Sequence, residues 1–279
     1  MKIGLIDIEP KIFNTAYMLI SRYYKDRGDT VEWWSPITDG NFDYVFCSSL
    51  FTATDKSEVP ERAICGGTGF DVKSRLSSCI EDSQYDYSIY PKCKTSYEWY
   101  SRGCIRNCSF CMVPQKEGEI KAVKPKKLNP NGTYIVVQDN NFFASPQWRM
   151  AIADLELSGQ PVDFQGVDVR VLSVAKCKAL ASLKHHKQIK IAWDNPFEDL
   201  RNEIALLLKF INAYKIMCYV LIGHTSSHQQ NVDRVRSLQQ FRITPYVMCV
   251  NRKDPYQKKF QRWVNGHAYR NVKWGEFTG

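Results

Sequence analysis

The sequence predicts an α/β protein: a small doubly wound parallel sheet, then six β/α units whose parallel strands can curl into a partial barrel. Three observations carry this. Strand and helix patterns alternate through residues 1–76, and they alternate again from Tyr97 onward. The clearest helical stretch, 197–215, sets Leu200, Ile204, Leu207, Leu208, Ile211 and Tyr214 along one face, the spacing of a helix that packs on a sheet. A hydrophobic fraction of 44% over 279 residues is that of a chain with a packed core.

Residues 3–7 form a short apolar strand. A helix over 15–25 follows, with Tyr17, Ile20 and Tyr24 at helical spacing and Gly28 where it would stop. Residues 31–34 and 44–50 are further strands, and 62–65 is a fourth that runs into Gly66-Gly67-Thr68-Gly69. The stretch 77–94 is polar and tyrosine-rich, with Pro91, and is expected to be a linker. The second alternation has strands at 98–102, 134–139, 163–167, 189–193, 217–222 and 245–250, and helices at 147–158, 173–184, 197–215 and 227–241. Asn195 is placed to cap the third of these helices, Pro196 fits its first turn, and Glu198 gives a capping-box-like start. The resulting organisation is a first domain over 1–76, a linker over 77–95, the six-unit domain over 96–250 and an extension over 251–279. Ligands of such sheets lie at the carboxyl ends of the strands.

The net charge of +9 is uneven: residues 1–95 hold 11 Lys and Arg against 14 Asp and Glu, the remainder 27 against 15. An anionic partner is therefore expected on the second part. No apolar run reaches the length of a membrane span, and MKIGLIDIEP has no signal-peptide build, so a cytoplasmic protein without a membrane partner is expected. Ten cysteines in such a chain are read as reduced. Cys47, Cys65, Cys79, Cys93, Cys177, Cys218 and Cys249 lack metal-type spacing and are expected mostly as small buried hydrophobes.

The other three, Cys104, Cys108 and Cys111, sit in RGCIRNCSFCMVP. Three thiolates on one short loop can hold three irons of a [4Fe–4S] cluster, leaving the fourth open to a small molecule. A zinc site normally has four closed ligands, and no second cysteine or histidine pair follows here.

On this C-x3-C-x2-C spacing after the first strand of the second alternation, with Phe110 before the last cysteine, the chain resembles the radical S-adenosylmethionine superfamily over residues 96–250. The resemblance implies a partial (β/α)6 barrel of the TIM type. It also implies a [4Fe–4S] cluster on the three cysteines, S-adenosylmethionine on the open iron, and an electron donor such as flavodoxin or ferredoxin. In place of the family's Gly-Gly-Glu segment stands Asp139-Asn140-Asn141, whose side-chain oxygens can accept from the methionine ammonium. Gln165, Asp168 and Arg170 follow the third strand, and Arg170 can pair with the methionine carboxylate. The resemblance assigns Asp194 to ribose and Gly223, in VLIGHT, to the approach of adenine. The first domain resembles the Rossmann-like, cobalamin-binding-like domain of one branch of the superfamily. It has the Gly66–Gly69 turn but lacks the D-x-H-x-x-G motif, because Asp7 is followed by Ile8-Glu9-Pro10.

The implied chemistry is reductive cleavage of S-adenosylmethionine to a 5′-deoxyadenosyl radical that abstracts hydrogen from a substrate. Arg252, Lys253, Lys258, Lys259, Arg262, Arg270 and Lys273, interleaved with Tyr256, Phe260, Trp263, Tyr269 and Trp274, suit an anionic substrate such as a nucleotide or nucleic acid. Lys121, Lys124, Lys126 and Lys127 add a basic loop, and the plain alternative is a solvated basic face with its aromatics packed inward. Two other functions compete: a cobalamin-dependent radical methyltransferase, and a non-catalytic zinc-binding nucleic-acid module. His224 and His228 have helical spacing without a metalloprotease context and are read as polar surface or pocket residues.

Overall fold

The computed structural model describes all 279 residues. They divide into two compact units: Met1–Tyr97, Cys111–Gly118 and Pro125–Thr133 form the first, and Glu98–Phe110, Glu119–Lys124 and Tyr134–Gly279 the second.

The first unit begins β1 (Lys2–Ile6), α1 (Thr15–Lys25), β2 (Thr30–Trp33), β3 (Tyr44–Ser48), β4 (Ile64–Gly66), α2 (Ser78–Glu81). Its strands form one parallel sheet in the order β2-β1-β3-β4. The chain goes to one side of β1 for β2 and to the other for β3, which puts a switch point between β1 and β3. Both faces of the sheet are covered, as the continuous apolar run of β1 requires. Ile3, Leu5 and Phe46 pack with Tyr17, Met18 and Ile20 of α1, while Ile6, Val45 and Cys47 pack with Phe42. Asn14 caps α1, its side chain accepting from the Ala16 N–H at 2.9 Å.

The expected linker is not one. Ile80, Tyr85, Tyr87, Tyr90 and Cys93 belong to the core that holds Ile3, Leu5 and α1. Tyrosine allows this because its ring is buried while its hydroxyl stays bonded. The Tyr87 hydroxyl accepts from the Tyr97 N–H at 3.0 Å, and that of Tyr90 from the Asn14 N–H at 3.3 Å.

Next come β5 (Thr95–Glu98), β6 (Ser101–Arg102), α3 (Val113–Lys116) and β7 (Lys121–Ala122), with β6 and β7 antiparallel. The expected strand over 98–102 is thus two short ones, broken at Trp99-Tyr100. The second unit continues with β8 (Tyr134–Val137), α4 (Trp148–Ser158), β9 (Val162–Phe164), α5 (Val174–Ser182), β10 (Ile189–Ala192), α6 (Arg201–Leu208), β11 (Ile216–Ile222), α7 (His228–Gln240), β12 (Thr244–Cys249) and α8 (Pro255–Asn265). Its β8 and β9 pair with each other, and β10, β11 and β12 form a three-stranded sheet in that order. β8 runs parallel to β9, and β10 and β12 parallel to β11. Along β11, Ile216, Cys218, Val220 and Ile222 alternate inward and are fully buried. α7 packs on β11 and β12 through Val232, Val235 and Leu238, and α8 packs on β12 through Phe260, Trp263 and Val264.

The third expected helix is much shorter than 197–215. Asn195 does not cap it: its side chain accepts from the Phe197 N–H at 3.0 Å, and Asp199 accepts from the Arg201 N–H at 3.1 Å. These local bonds hold 195–200 in turns and delay the helix to Arg201. All ten cysteines are free thiols; Cys47, Cys93, Cys177 and Cys218 are buried, Cys249 is half-buried, and Cys65 and Cys79 are exposed. No helix is long and apolar enough to cross a membrane.

Candidate cofactor-binding site

The cysteine loop leaves β6 at Gly103, whose φ of 85° is the left-handed conformation glycine adopts without strain. In the second unit, the Cys104 sulfur accepts from the Arg106 N–H at 3.4 Å and from the Asn141 side-chain amide at 3.7 Å. Ser109 Oγ lies 2.9 Å from His224 Nε2, and the Phe110 ring meets the same imidazole edge-on at 5.6 Å. His224 therefore tethers the loop to the segment after β11. His228, by contrast, begins α7 and stacks on Tyr256 at 3.5 Å. In the first unit, Cys111 Sγ accepts from the Val113 N–H at 3.4 Å. No group of three or more His, Cys, Asp or Glu side chains stands together in a metal-holding arrangement, the three cysteines included.

Asp168 is the hub of a charge network. Its carboxylate takes the Arg170 Nε at 2.7 Å and the Arg106 Nε at 2.8 Å, and accepts from Asn141 Nδ2 at 3.2 Å. Arg170 also reaches Glu198 at 2.6 Å. Burial alone would raise the Asp168 pKa, but the Arg170 and Arg106 guanidiniums outweigh it and hold the carboxyl below its ordinary range. Arg170 is thus engaged on three of its nitrogens.

The carboxyl end of β8 is different. Asp139 is 1% exposed and turns back to β6, accepting from Ser101 Oγ at 2.5 Å and from the Tyr100 N–H at 2.8 Å. Burial pushes its pKa up to about 6 against those bonds. Beside it, Gln138 Oε1, Asn140 Nδ2 and Asn141 Oδ1 are buried with no hydrogen-bond partner. Gly166, after β9, lies so close that a Cβ there would stand 2.4 Å from the Asp139 carbonyl and 2.5 Å from that of Asn140. Buried polar atoms without partners are rare and costly, and here three of them follow one strand.

Further round, Asp194 accepts from the Leu221 N–H at 3.2 Å, and burial raises its pKa. Gln165 is exposed, its backbone N–H donating to Val137. Gly223 has a φ of 83°, and a Cβ there would run into the buried side chain of Gln257 at 2.3 Å. Its glycine is demanded by that packing. Ser226 Oγ is another buried atom without a partner. Arg234, invisible to motif reasoning, is 3% exposed and locks these strand ends together. It donates to the carbonyls of Trp193 at 2.6 Å and Leu221 at 3.0 Å, and to Asn231 Oδ1 at 2.7 Å. Burial lowers its pKa to about 10.

The first unit fills the corresponding place with its own residues. At the β1/β3 switch point, the Glu9 carboxylate accepts from the Leu50 N–H at 2.9 Å, the Phe51 N–H at 3.1 Å, Ser49 Oγ at 3.0 Å and Thr54 Oγ at 2.6 Å. The Gly66–Gly69 turn lies under this loop: a Cβ at Gly67 or Gly69 would meet Ser49 atoms at 2.4 Å or less.

No protein-family model matches the chain, and no curated protein matches it. Of the residues expected from sequence, Asp168 and Arg170 come together, and Cys104 joins them through Asn141. Asn141 stands in the Asp139-Asn140-Asn141 segment to which the resemblance pointed; the roles of Arg106, Glu198, His224 and Arg234 carry no spacing signal, and Arg106 alone stands inside the cysteine motif.

Proposed function

We propose that the protein is a radical S-adenosylmethionine enzyme, its [4Fe–4S] cluster held by Cys104, Cys108 and Cys111 and its barrel built from β5, β8, β9, β10, β11 and β12. The observation that carries this is the cysteine triplet on a loop whose first sulfur hydrogen-bonds Asn141, next to buried polar atoms that lack partners. The donor set fits. Two N–H groups donate to the Cys104 sulfur and orient it. Asn141 Oδ1 is a buried acceptor for an ammonium and Asn140 Nδ2 a buried donor for a carboxylate. Asp139 and Arg170, both already bonded within the protein, give these two roles to the asparagines.

A cluster held by Cys104, Cys108 and Cys111 would, when bound, supply one electron for the reductive cleavage of S-adenosylmethionine, the source of hydrogen-abstracting chemistry in this reading. The chain's own work is to bind and to orient. Asp168 holds Asn141 in place, and Arg106 and Arg170 neutralise Asp168. Arg234 fixes the ends of β10 and β11, and with them Asp194 at the ribose position and Gly223 at the adenine position. Phe110 and Ser109, anchored on His224, steady the loop. A ferredoxin or flavodoxin delivers the electron, and the substrate is anionic.

Cobalamin does not fit the first unit, since Glu9 occupies the donors of its switch point.

The test is anaerobic reconstitution followed by iron and sulfide analysis and by mass spectrometry for 5′-deoxyadenosine after addition of S-adenosylmethionine and dithionite. About four irons and four sulfides per chain and formation of 5′-deoxyadenosine are expected, and both should vanish in the C104A/C108A/C111A variant. Tightly bound zinc without sulfide would replace this reading with the zinc module, and a corrinoid spectrum would replace it with the methyltransferase.

A further inference from the structure

The C-terminal extension changes meaning once its side chains are placed. The aromatics do not offer faces to bases: Phe260, Trp263 and Tyr269 are buried, and Trp274 packs against Phe260 at 5.0 Å and Trp263 at 5.5 Å. The Trp263 indole N–H donates to the Val272 carbonyl at 2.8 Å, which binds the segment after α8 onto that helix. The cations point the other way. Arg252, Lys253, Lys258, Arg262, Arg270 and Lys273 are exposed, and none of them pairs with a carboxylate. Lys259 lies over the Trp274 ring at 5.4 Å. The only acidic residues in 251–279 are Asp254 and Glu276, and Asp254 is spent capping α8, accepting from the Gln257 N–H at 2.7 Å.

Lys258 and Arg262 stand one turn apart on α8, opposite the face formed by Gln257, Phe260, Trp263 and Val264. An uncompensated row of long cations on a rigid, tightly packed base is costly in self-repulsion and is relieved by a polyanion. No large hydrophobic side chain of 251–279 is exposed, so the face has nothing to insert into a lipid surface. It also has no exposed Phe, Trp or Tyr on which single-stranded bases could stack.

We propose that this face of α8 and the segment after it docks the phosphate backbone of a nucleic-acid duplex, without reading base sequence. The contact is electrostatic, so affinity falls steeply with salt through counterion release and is indifferent to sequence. It is independent of the cluster and of the radical chemistry.

The experiment is fluorescence anisotropy with the full-length protein and a labelled 20-base-pair DNA duplex across a salt series from 50 to 200 mM. Binding that weakens at least tenfold over that range is expected, with equal affinity for two unrelated sequences. The K258E/R262E variant, whose unchanged circular dichroism and melting temperature show an intact fold, should bind at least tenfold more weakly. The C104A/C108A/C111A variant should bind as the wild type does, which separates this surface from the cluster. The proposal is overturned by undetectable duplex binding at 50 mM salt, or by K258E/R262E binding unchanged. It is equally overturned by single-stranded DNA or phosphatidylserine vesicles binding more tightly than the duplex.

Discussion

The two units present the same kind of place, the carboxyl ends of parallel strands, and treat it in opposite ways. In the first, side chains of the unit itself take up backbone donors and acceptors at the β1/β3 switch point. Glu9 fills the loop after β3, and the Tyr17 hydroxyl bridges the Ile6 carbonyl and the Ser48 N–H. In the second, buried atoms of Gln138, Asn140, Asn141 and Ser226 are left without partners. A satisfied strand end holds a fold together and has no affinity left for a ligand. An unsatisfied one carries a desolvation cost that a ligand can relieve. The difference separates strand ends satisfied from within from strand ends that keep unpartnered buried atoms.

The two ends should also answer pH with opposite signs, and this is the largest effect expected. The folded Asp139 holds its proton to about pH 6, against an ordinary value of 3.8. Its stabilising contribution is therefore complete below about pH 4 and is lost as pH rises through 6, a swing of about 3 kcal/mol. The Asp139→Asn variant has no such swing. Relative to wild type it should gain about 3 kcal/mol between pH 4 and pH 7 in urea unfolding. A constant difference between the two proteins across that range would mean that Asp139 is not held protonated.

Next in size is Asn141→Leu, which keeps the branching pattern and removes the unpartnered acceptor together with the amide's bonds to Asp168 and Cys104. A hydrogen bond to a charged group is worth about 2 kcal/mol. S-adenosylmethionine should therefore bind the cluster-loaded variant about 30-fold more weakly by calorimetry. Glu9→Gln, at the closed end, should leave that affinity untouched. Equal losses in both variants would break the comparison.

Much of the fold was legible because it rests on local periodicity. The alternation along β11 and the apolar stripe of α1 are each set by residues two to four apart, and both lie within a residue or so of where the sequence put them. The helix at 197–215 was overread because its apolar stripe continues through residues that Asn195 and Asp199 hold in turns by single bonds. The stretch 77–94 was misread because tyrosine counts as polar until its ring is seen buried. Around the cysteine loop, the cysteine spacing itself stands in the sequence. The supports do not: Asn141 with Asp168, Ser109 with His224 and Arg234 with Trp193 are pairs 27, 115 and 41 residues apart. Nothing in a local pattern joins them.

Glu9→Gln has its own, smaller effect on the first unit. Burial works against the Glu9 charge, but the bonds from Thr54, Leu50, Phe51 and Ser49 outweigh it and lower the pKa below 4.5. The stabilisation it gives is present above pH 4.5 and lost as pH falls through the folded value, the reverse of Asp139. The variant should be less stable by about 1.5 kcal/mol at pH 7, with the deficit shrinking on acidification. Hydrogen exchange should show faster opening of the 49–54 amides and no change at 139–141.

The smallest effect is expected of Tyr17→Phe, which sharpens the comparison by touching only the closed end. The phenol is 1% exposed and links the last residues of β1 and β3. Its removal keeps the ring against Trp33, 5.9 Å away and edge-on, and leaves the Ser48 N–H without that partner. The cost should be about 1 kcal/mol in urea unfolding, with iron content and S-adenosylmethionine affinity unchanged. A variant of normal stability would mean that the switch point closes without this bridge. A loss of cofactor affinity would mean that the closed end, too, acts on the ligand.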